Sequence, residues 1–382
     1  MKHKAKLILI DATGEYRNFA GAGVVHCHLG EPVSMAGESV ASSLPPTSFI
    51  ESDFVALFEP AGKVQGPKMR AAIKSLRLAN LRPALATGGY IHKHGQLKQP
   101  VTDAEVDVDI SSKLDDPRQE FDVSHLVRQI EQECVWPNGG TQRAPDVTRW
   151  GGPDEGSYAN CLSLFARISG VLESSAFACV FNPSATRDLT NQIDDFVKGG
   201  DKLLRICLSG IGFEYHAREI IANVIGRHLL TKARGGTFRQ QPAVVIVDEA
   251  HNFLGRQIGT DDYASRLDAF ELIAKEGRKY GLNICLVSQR PRDITESVLS
   301  QMGTLIVHRL TNDQDRAMVE RACGEIDRAA SAFLPNLRPG EAVIIGTDFP
   351  IPLTIQIREP NTKPKSDGPK YQQHWATNPS NG

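Results

Sequence analysis

The sequence predicts an α/β protein built on a mostly parallel sheet, and two observations carry that expectation. Apolar segments of strand length alternate with segments of helical spacing. One of them, Val244-Val245-Ile246-Val247, is a run of four β-branched residues followed directly by Asp248 and Glu249. A strand that is apolar at every position reads as buried on both faces, the situation inside a parallel sheet. Its acids then fall at the carboxyl end, the edge at which open α/β sheets bind ligands. Adjacent strand residues point to opposite faces, so the two acids can serve one site only if the strand ends there.

The chain has 382 residues, 41% hydrophobic and 23% charged, with a net charge of −2. That length suits one large domain with an insertion, or two domains. No apolar run approaches the roughly 18 residues of a membrane span, and the start lacks a signal-peptide pattern, so a cytoplasmic protein without a membrane partner is expected. The charge argues against a globally basic nucleic-acid binder and leaves room for a local basic channel. The seven cysteines, at 27, 134, 161, 179, 207, 285 and 323, form no CxxC pair and read as reduced core residues. The triplet His26-Cys27-His28 lacks the partner cluster that a metal site needs.

The remaining elements follow in chain order. Lys6 to Asp11 is an apolar strand ending in an acid, followed by Ala12-Thr13-Gly14-Glu15-Tyr16. Residues 24 to 58 are broken by Gly30, Pro32, Gly37, Pro45 and Pro46 and lead to the apolar run Asp53 to Phe58. Met69, Ala72, Ile73, Leu76 and Ala79 have helical spacing within Pro67 to Leu81. Residues 82 to 118 are polar, with an alternating piece from Val106 to Ile110. Helices are expected over Phe121 to Cys134, Ala159 to Leu172 and Leu189 to Val197, with a long loop from Trp136 to Asp154. Residues 61 to 200 therefore read as a mainly helical insertion, separating a first core part, 1 to 60, from a second, 201 to 358.

In the second part, Leu203 to Gly210 predicts a strand and Ile220 to Leu230 an amphipathic helix. The acid-bearing strand follows, then a polar loop from Gly255 to Asp262, a helix from Ala264 to Tyr280, and strands at Asn283 to Val287 and Thr304 to His308. Strands and helices of these lengths in alternation spell parallel βαβ units in a doubly wound sheet. Gly340 to Ile357 reads as a hairpin around Gly346-Thr347-Asp348-Phe349-Pro350, and residues 359 to 382 as a disordered tail.

The order DATGEY, DEAH, GRKYG, SQRP and PGEAVIIG resembles the HerA family, over residues 203 to 357 and the first 16 residues. Those proteins are hexameric DNA-translocating ATPases of the FtsK-HerA superfamily with a RecA-like core. The resemblance implies ATP and Mg²⁺ as ligands, double-stranded DNA as the partner, a homo-hexameric ring, and a nuclease or defence effector working beside it. It also implies roles. Asp248 becomes the acid on the Mg²⁺ side, Glu249 the acid that activates the attacking water, and Gln289 the γ-phosphate sensor. Arg278 becomes an arginine finger for the neighbouring subunit, and Asp11 an acid near the nucleotide.

Plainer readings stand beside these: a strand-end hydrogen bonder at Gln289, a turn residue at Asp11, a solvated cationic helix end at Arg278 with Lys275 and Lys279. Arg227, Lys232, Arg234 and Arg239 are candidate contacts to DNA, or a solvated basic face.

One departure from the pattern is large. A phosphate-binding loop reads GxxxxGK[ST], because its amides cradle phosphate, its lysine neutralises charge and its hydroxyl ligates Mg²⁺. Gly62-Lys63 is followed by Val64, and Gly200-Asp201-Lys202 by Leu203, so neither fits. In the family that loop precedes the strand corresponding to Leu7 to Asp11. The expectation is a RecA-like sheet lacking its first strand, loop and helix. Two alternatives are a non-catalytic ring subunit that lends Arg278 to a partner, and a conjugation or secretion ATPase of the same superfamily.

Overall fold

The computed structural model describes residues 5–364 and 375, apart from 32–38, 186, 260–262, 323–332, 347 and 348. Strands β1 (Lys6–Asp11), β2 (Val24–Gly30) and β3 (Val40–Ser43) open the chain. The run after them is helical: α1 (Glu51–Phe58) buries every residue from Phe54 to Phe58. Asp53 caps it by accepting the Ile50 amide at 2.8 Å. In α2 (Gly62–Leu81) the predicted apolar stripe Met69, Ala72, Ile73 and Leu76 is buried.

Val106 to Ile110 alternates like a strand yet forms the junction of two short helices, α3 (Gln99–Val106) and α4 (Val108–Leu114). The reason is local, because Asp107 accepts the Asp109 amide at 2.9 Å and caps the second helix. Beyond α5 (Leu126–Glu133) the glycine-rich loop holds an antiparallel pair, β4 (Gly139–Thr141) and β5 (Ala144–Asp146). Helices α6 (Glu155–Glu173) and α7 (Ala178–Phe181), strand β6 (Arg187–Asp188) and helix α8 (Leu189–Lys198) complete the middle of the chain.

Next come β7 (Leu203–Gly210), α9 (Ala217–Arg234), β8 (Ala243–Val247), the antiparallel pair β9 (Arg256–Ile258) and β10 (Ser265–Leu267), α10 (Ala269–Glu276) and β11 (Leu282–Leu286). The predicted helix from Ala264 to Tyr280 is thus shorter, since Ser265 to Leu267 pair as a strand instead. The chain continues with α11 (Glu296–Leu299), β12 (Thr304–Val307), α12 (Asp313–Ala322), β13 (Glu341–Gly346) and β14 (Phe349–Gln356).

Seven strands form the main sheet, in the order β11-β8-β1-β7-β2-β3-β6, and every neighbouring pair is parallel. The α/β class read from the sequence is the observed one. The segment from 61 to 200 carries helices α2 to α8 and also gives β6 to the sheet's edge. Strand β12 departs from expectation: it joins β13 and β14 in a separate antiparallel sheet rather than extending the parallel one. Cys323, the hairpin residues Thr347 and Asp348, part of the 255–262 loop and nearly all of the 359–382 tail lie outside the described residues.

Candidate nucleotide site

Strands β1 and β8 run side by side, Ile10 opposite Val247, so the residues that follow them emerge together at the carboxyl edge. The Asp248 amide donates to Ile10 O at 3.1 Å, which prolongs the pairing by one residue. Glu249 then adopts a left-handed backbone, φ +48°. For a residue with a side chain this costs on the order of 1 kcal/mol, and such strain concentrates at functional positions. Its effect is to break the strand's alternation and bring both acids to one site.

The Glu249 carboxylate is held from two sides. Gln289, beyond the end of neighbouring β11, donates from Nε2 to Oε1 at 2.8 Å. His251 Nδ1 lies 3.2 Å from Oε2 and 3.1 Å from Ser288 Oγ. Asp248 is nearly buried. Burial raises its pKa to about 6, with the Glu249, Asp11 and Glu15 charges adding to the rise and the Glu249 backbone opposing it. Glu15 is likewise pushed up, first by burial and then by Asp11 and Glu249. Tyr16 rises far above the usual phenol range through burial, with Asp248 the largest charge acting on it and also its hydrogen-bond partner.

Asp11 faces inward. Fully buried, it accepts Arg205 Nε at 2.6 Å and the amides of Gly14 at 2.7 Å and Tyr16 at 3.3 Å. This carboxylate fixes the turn that carries Glu15 and Tyr16 toward the site. Arg278 is exposed in the turn Gly277–Tyr280 before β11, at the opposite end of the sheet from Glu249. Of the basic cluster, Arg227 pairs with Asp53, Lys232 with Asp194 and Arg234 with Glu276, while Arg239 is exposed. His26, Cys27 and His28 bond to Phe19 O, Gln192 and Ser39. No group of three or more His, Cys, Asp or Glu side chains disposed to hold a metal occurs among the described residues.

Sequence reasoning passed over His251, Ser288 and Tyr16. The first two lie inside the DEAH and SQRP motifs, but the contact between them joins residues far apart in the chain. A single carboxylate at Asp248 suits Mg²⁺, which keeps most of its water shell and takes its other ligands from phosphate. The cluster can therefore take a hydrated divalent cation on Asp248 and polarise a water with Glu249.

The seven-stranded parallel sheet, with its acid-ended strand β8, has the architecture of a RecA-like α/β core. No family-level profile matches the chain. Its sequence relatives include HerA helicases of archaea. The chain is 38% identical to the DNA double-strand break repair helicase HerA of Pyrococcus furiosus over 116 residues, 30% of this chain and 20% of that protein. It is 29% identical to the HerA of Sulfolobus acidocaldarius over 211 residues, 49% and 41% of the two lengths. A probable helicase of Methanocaldococcus jannaschii is 34% identical over 120 residues, 31% of this chain and 22% of that one. The matched segments thus span well under half the length of these relatives. Among solved structures, VirB4 of Thermoanaerobacter pseudethanolicus superposes with a TM-score of 0.51 at 13% identity, covering 94% of this chain and 82% of that one. The bacterial conjugative coupling protein TrwB, in complex with sulphate, gives 0.50 at 12%, with 94% and 80% covered. Both likenesses are likenesses of fold.

Proposed function

We propose that this chain is the acid-bearing part of a HerA-like motor that couples ATP hydrolysis to movement along double-stranded DNA as a homo-hexameric ring in the cytoplasm. The observation that carries the reading is the left-handed turn at Glu249, which sets its carboxylate beside Asp248 under the grip of Gln289 and His251. Asp248 would hold Mg²⁺ through a water, and the ion would supply neutralisation of phosphate charge there. Glu249 draws a proton from the water aligned on the γ-phosphate, and Gln289, already hydrogen-bonded to Glu249, reports whether that phosphate is present. No GxxxxGK[ST] run occurs in the 382 residues, and the reading assigns none of them to a phosphate cradle. Sequence kinship to proteins named as DNA double-strand break repair helicases favours DNA as the track; a nuclease or defence effector as companion is part of the proposal.

The test supplies a phosphate loop ahead of Lys6 and compares wild type with Glu249→Gln. Hydrolysis is expected to fall at least ~100-fold while ATP binding is kept, since removal of a general base spares the ground state. Equal hydrolysis by the two proteins refutes the assignment.

A further inference from the structure

The insertion carries a surface that the nucleotide site does not use. Trp136 and Trp150 line one groove of about 680 Å³ together with Arg149 and part of the hairpin β4 to β5. The groove shares no lining residue with the cavities that border Glu249. Trp136 is 57% exposed. A large apolar ring left in water is unfavourable, and indoles are enriched where surfaces bind a partner.

Main-chain hydrogen bonds hold this platform in place. The Trp136 amide donates to Gly152 O at 3.0 Å, Gly151 to Trp136 O at 2.8 Å, Trp150 to Gln96 O at 3.0 Å and Gly95 to Gly151 O at 3.1 Å. Trp150 packs on the small core of Leu78, Ile91 and Val101, with Lys93 Nζ 5.2 Å from its ring centroid. Two glycines of the groove differ in their reasons. A Cβ on Gly151 would stand 2.6 Å from Trp136 Cβ, so close packing excludes a side chain there. Gly152 is exposed, its φ is not left-handed, and nothing lies within 4 Å of where its Cβ would be. The fold does not require that glycine, and its bare backbone leaves room for an occupant.

The charge around the groove is positive. Arg149 donates from Nη1 to Gly95 O at 3.1 Å, Lys98 Nζ donates to Asn138 Oδ1 at 2.9 Å, and Arg143 is exposed in the turn between β4 and β5. Lys98 and Arg143 form no ion pair with a carboxylate among the described residues. The hairpin's one acid, Asp146, accepts the Thr148 amide at 2.9 Å and its hydroxyl at 2.5 Å, and stands 3.9 Å from Arg149 Nε. We propose that this groove binds single-stranded nucleic acid, with an unpaired base stacked on Trp136 and the adjoining phosphates meeting Lys98, Arg143 and Arg149. Stacking on an indole needs a free base face, which a duplex keeps covered by the neighbouring pairs. Cations without carboxylate partners suit a polyanion, to which an uncharged peptide is no equal. This surface uses neither Glu249 nor a bound nucleotide, so it stands or falls apart from the proposed ATPase.

The probe is a fluorescein-labelled strand of about 12 thymidines, titrated into the full chain and followed by anisotropy and by quenching of tryptophan emission. Affinity is expected to fall with salt, with a slope of about −2 in log K against log salt for three phosphate contacts. Trp136→Ala should weaken binding at least ~tenfold by removing the stack. Gly152→Leu should do the same by filling the groove, changing no charge and leaving thermal unfolding where it was. Arg143→Glu should weaken binding and flatten the salt slope. A duplex of the same length should bind at least ~tenfold more weakly. A uridine strand separates the two sources of such a ligand: equal affinity means that either backbone is accepted, and tighter binding that the 2′-hydroxyl is read; both support the proposal.

Failure of both strands to bind in a salt-sensitive way overturns the proposal. So does binding that ignores Trp136→Ala and Gly152→Leu, or a duplex held as tightly as the single strand. Quenching by a proline-rich peptide but by neither strand also overturns it and makes the groove a peptide site. Should Trp136→Ala disturb the hairpin, Gly152→Leu still decides, because no atom of the fold lies within 4 Å of the added Cβ.

Discussion

Asp248 shows how one side chain links the site to stability. An unfolded aspartate titrates near ~3.9, whereas burial beside Glu249 lifts this one to about 6 in the fold. Between those values the native state holds a proton that the unfolded chain has released. Its contribution therefore favours the fold fully below about pH 4 and is lost as pH rises through about 6. Asp248→Asn removes the charge and with it the loss. Urea denaturation should find the variant more stable than wild type by about 1 to 2 kcal/mol at pH 8, and by almost nothing at pH 4. An equal gain at both pH values would show that the carboxylate is not strained by its surroundings. A residue that weakens the apo fold in this way suits a position reserved for a cation.

At the scale of elements, the carboxyl ends of β2 and β7 approach more closely than side chains allow. A Cβ on Gly210 would stand 2.0 Å from Glu31 O, and one on Gly30, where φ is +73°, only 2.4 Å from Gly210 O. Gly210→Ala should cost at least ~2 kcal/mol by forcing the two strands apart, while Gly200→Ala, with nothing within 4 Å, should change stability by less than ~0.5 kcal/mol. Equal effects in thermal unfolding would mean that the close approach is not maintained in solution.

Strands such as β8 were legible because burial on both faces leaves an unbroken apolar run. The run Phe54 to Phe58 is as apolar, however, and forms a helix, since burial all round erases the period that separates the two. For the same reason the apolar run of β12 says nothing about whether its neighbour is parallel or antiparallel. At the site, Asp248, Glu249 and Gln289 stand out by their positions at strand ends. The inward turn of Asp11 was hidden because its partner, Arg205, is 194 residues away, and an ion pair at that separation leaves no local pattern. That pair is testable too. Arg205→Ala strands a buried carboxylate and should cost about 3 to 5 kcal/mol, more than replacing both partners with apolar residues of similar volume.

At the scale of the whole molecule, Arg278 stands before β11 and Gln289 just after it, so a strand of five residues, about 17 Å, separates the arginine from the acids of its own chain. Within one protomer it cannot reach a phosphate bound beside Glu249. Only a neighbour placed head to tail can bring it there, which is the heterologous contact from which rings are built. If Arg278 acts across that contact, two dead proteins should revive each other. With the phosphate loop supplied, Arg278→Ala and Glu249→Gln are each expected to lower hydrolysis at least ~100-fold. In a ring assembled from an equal mixture, an interface works when the first variant gives the glutamate and the second the arginine, so independent sites should recover about a quarter of wild-type activity. Mixing after assembly, without exchange of subunits, should recover none. Activity that stays at the level of the separate variants in co-assembled rings would place Arg278 outside the reaction, as a solvated cation at the end of its turn.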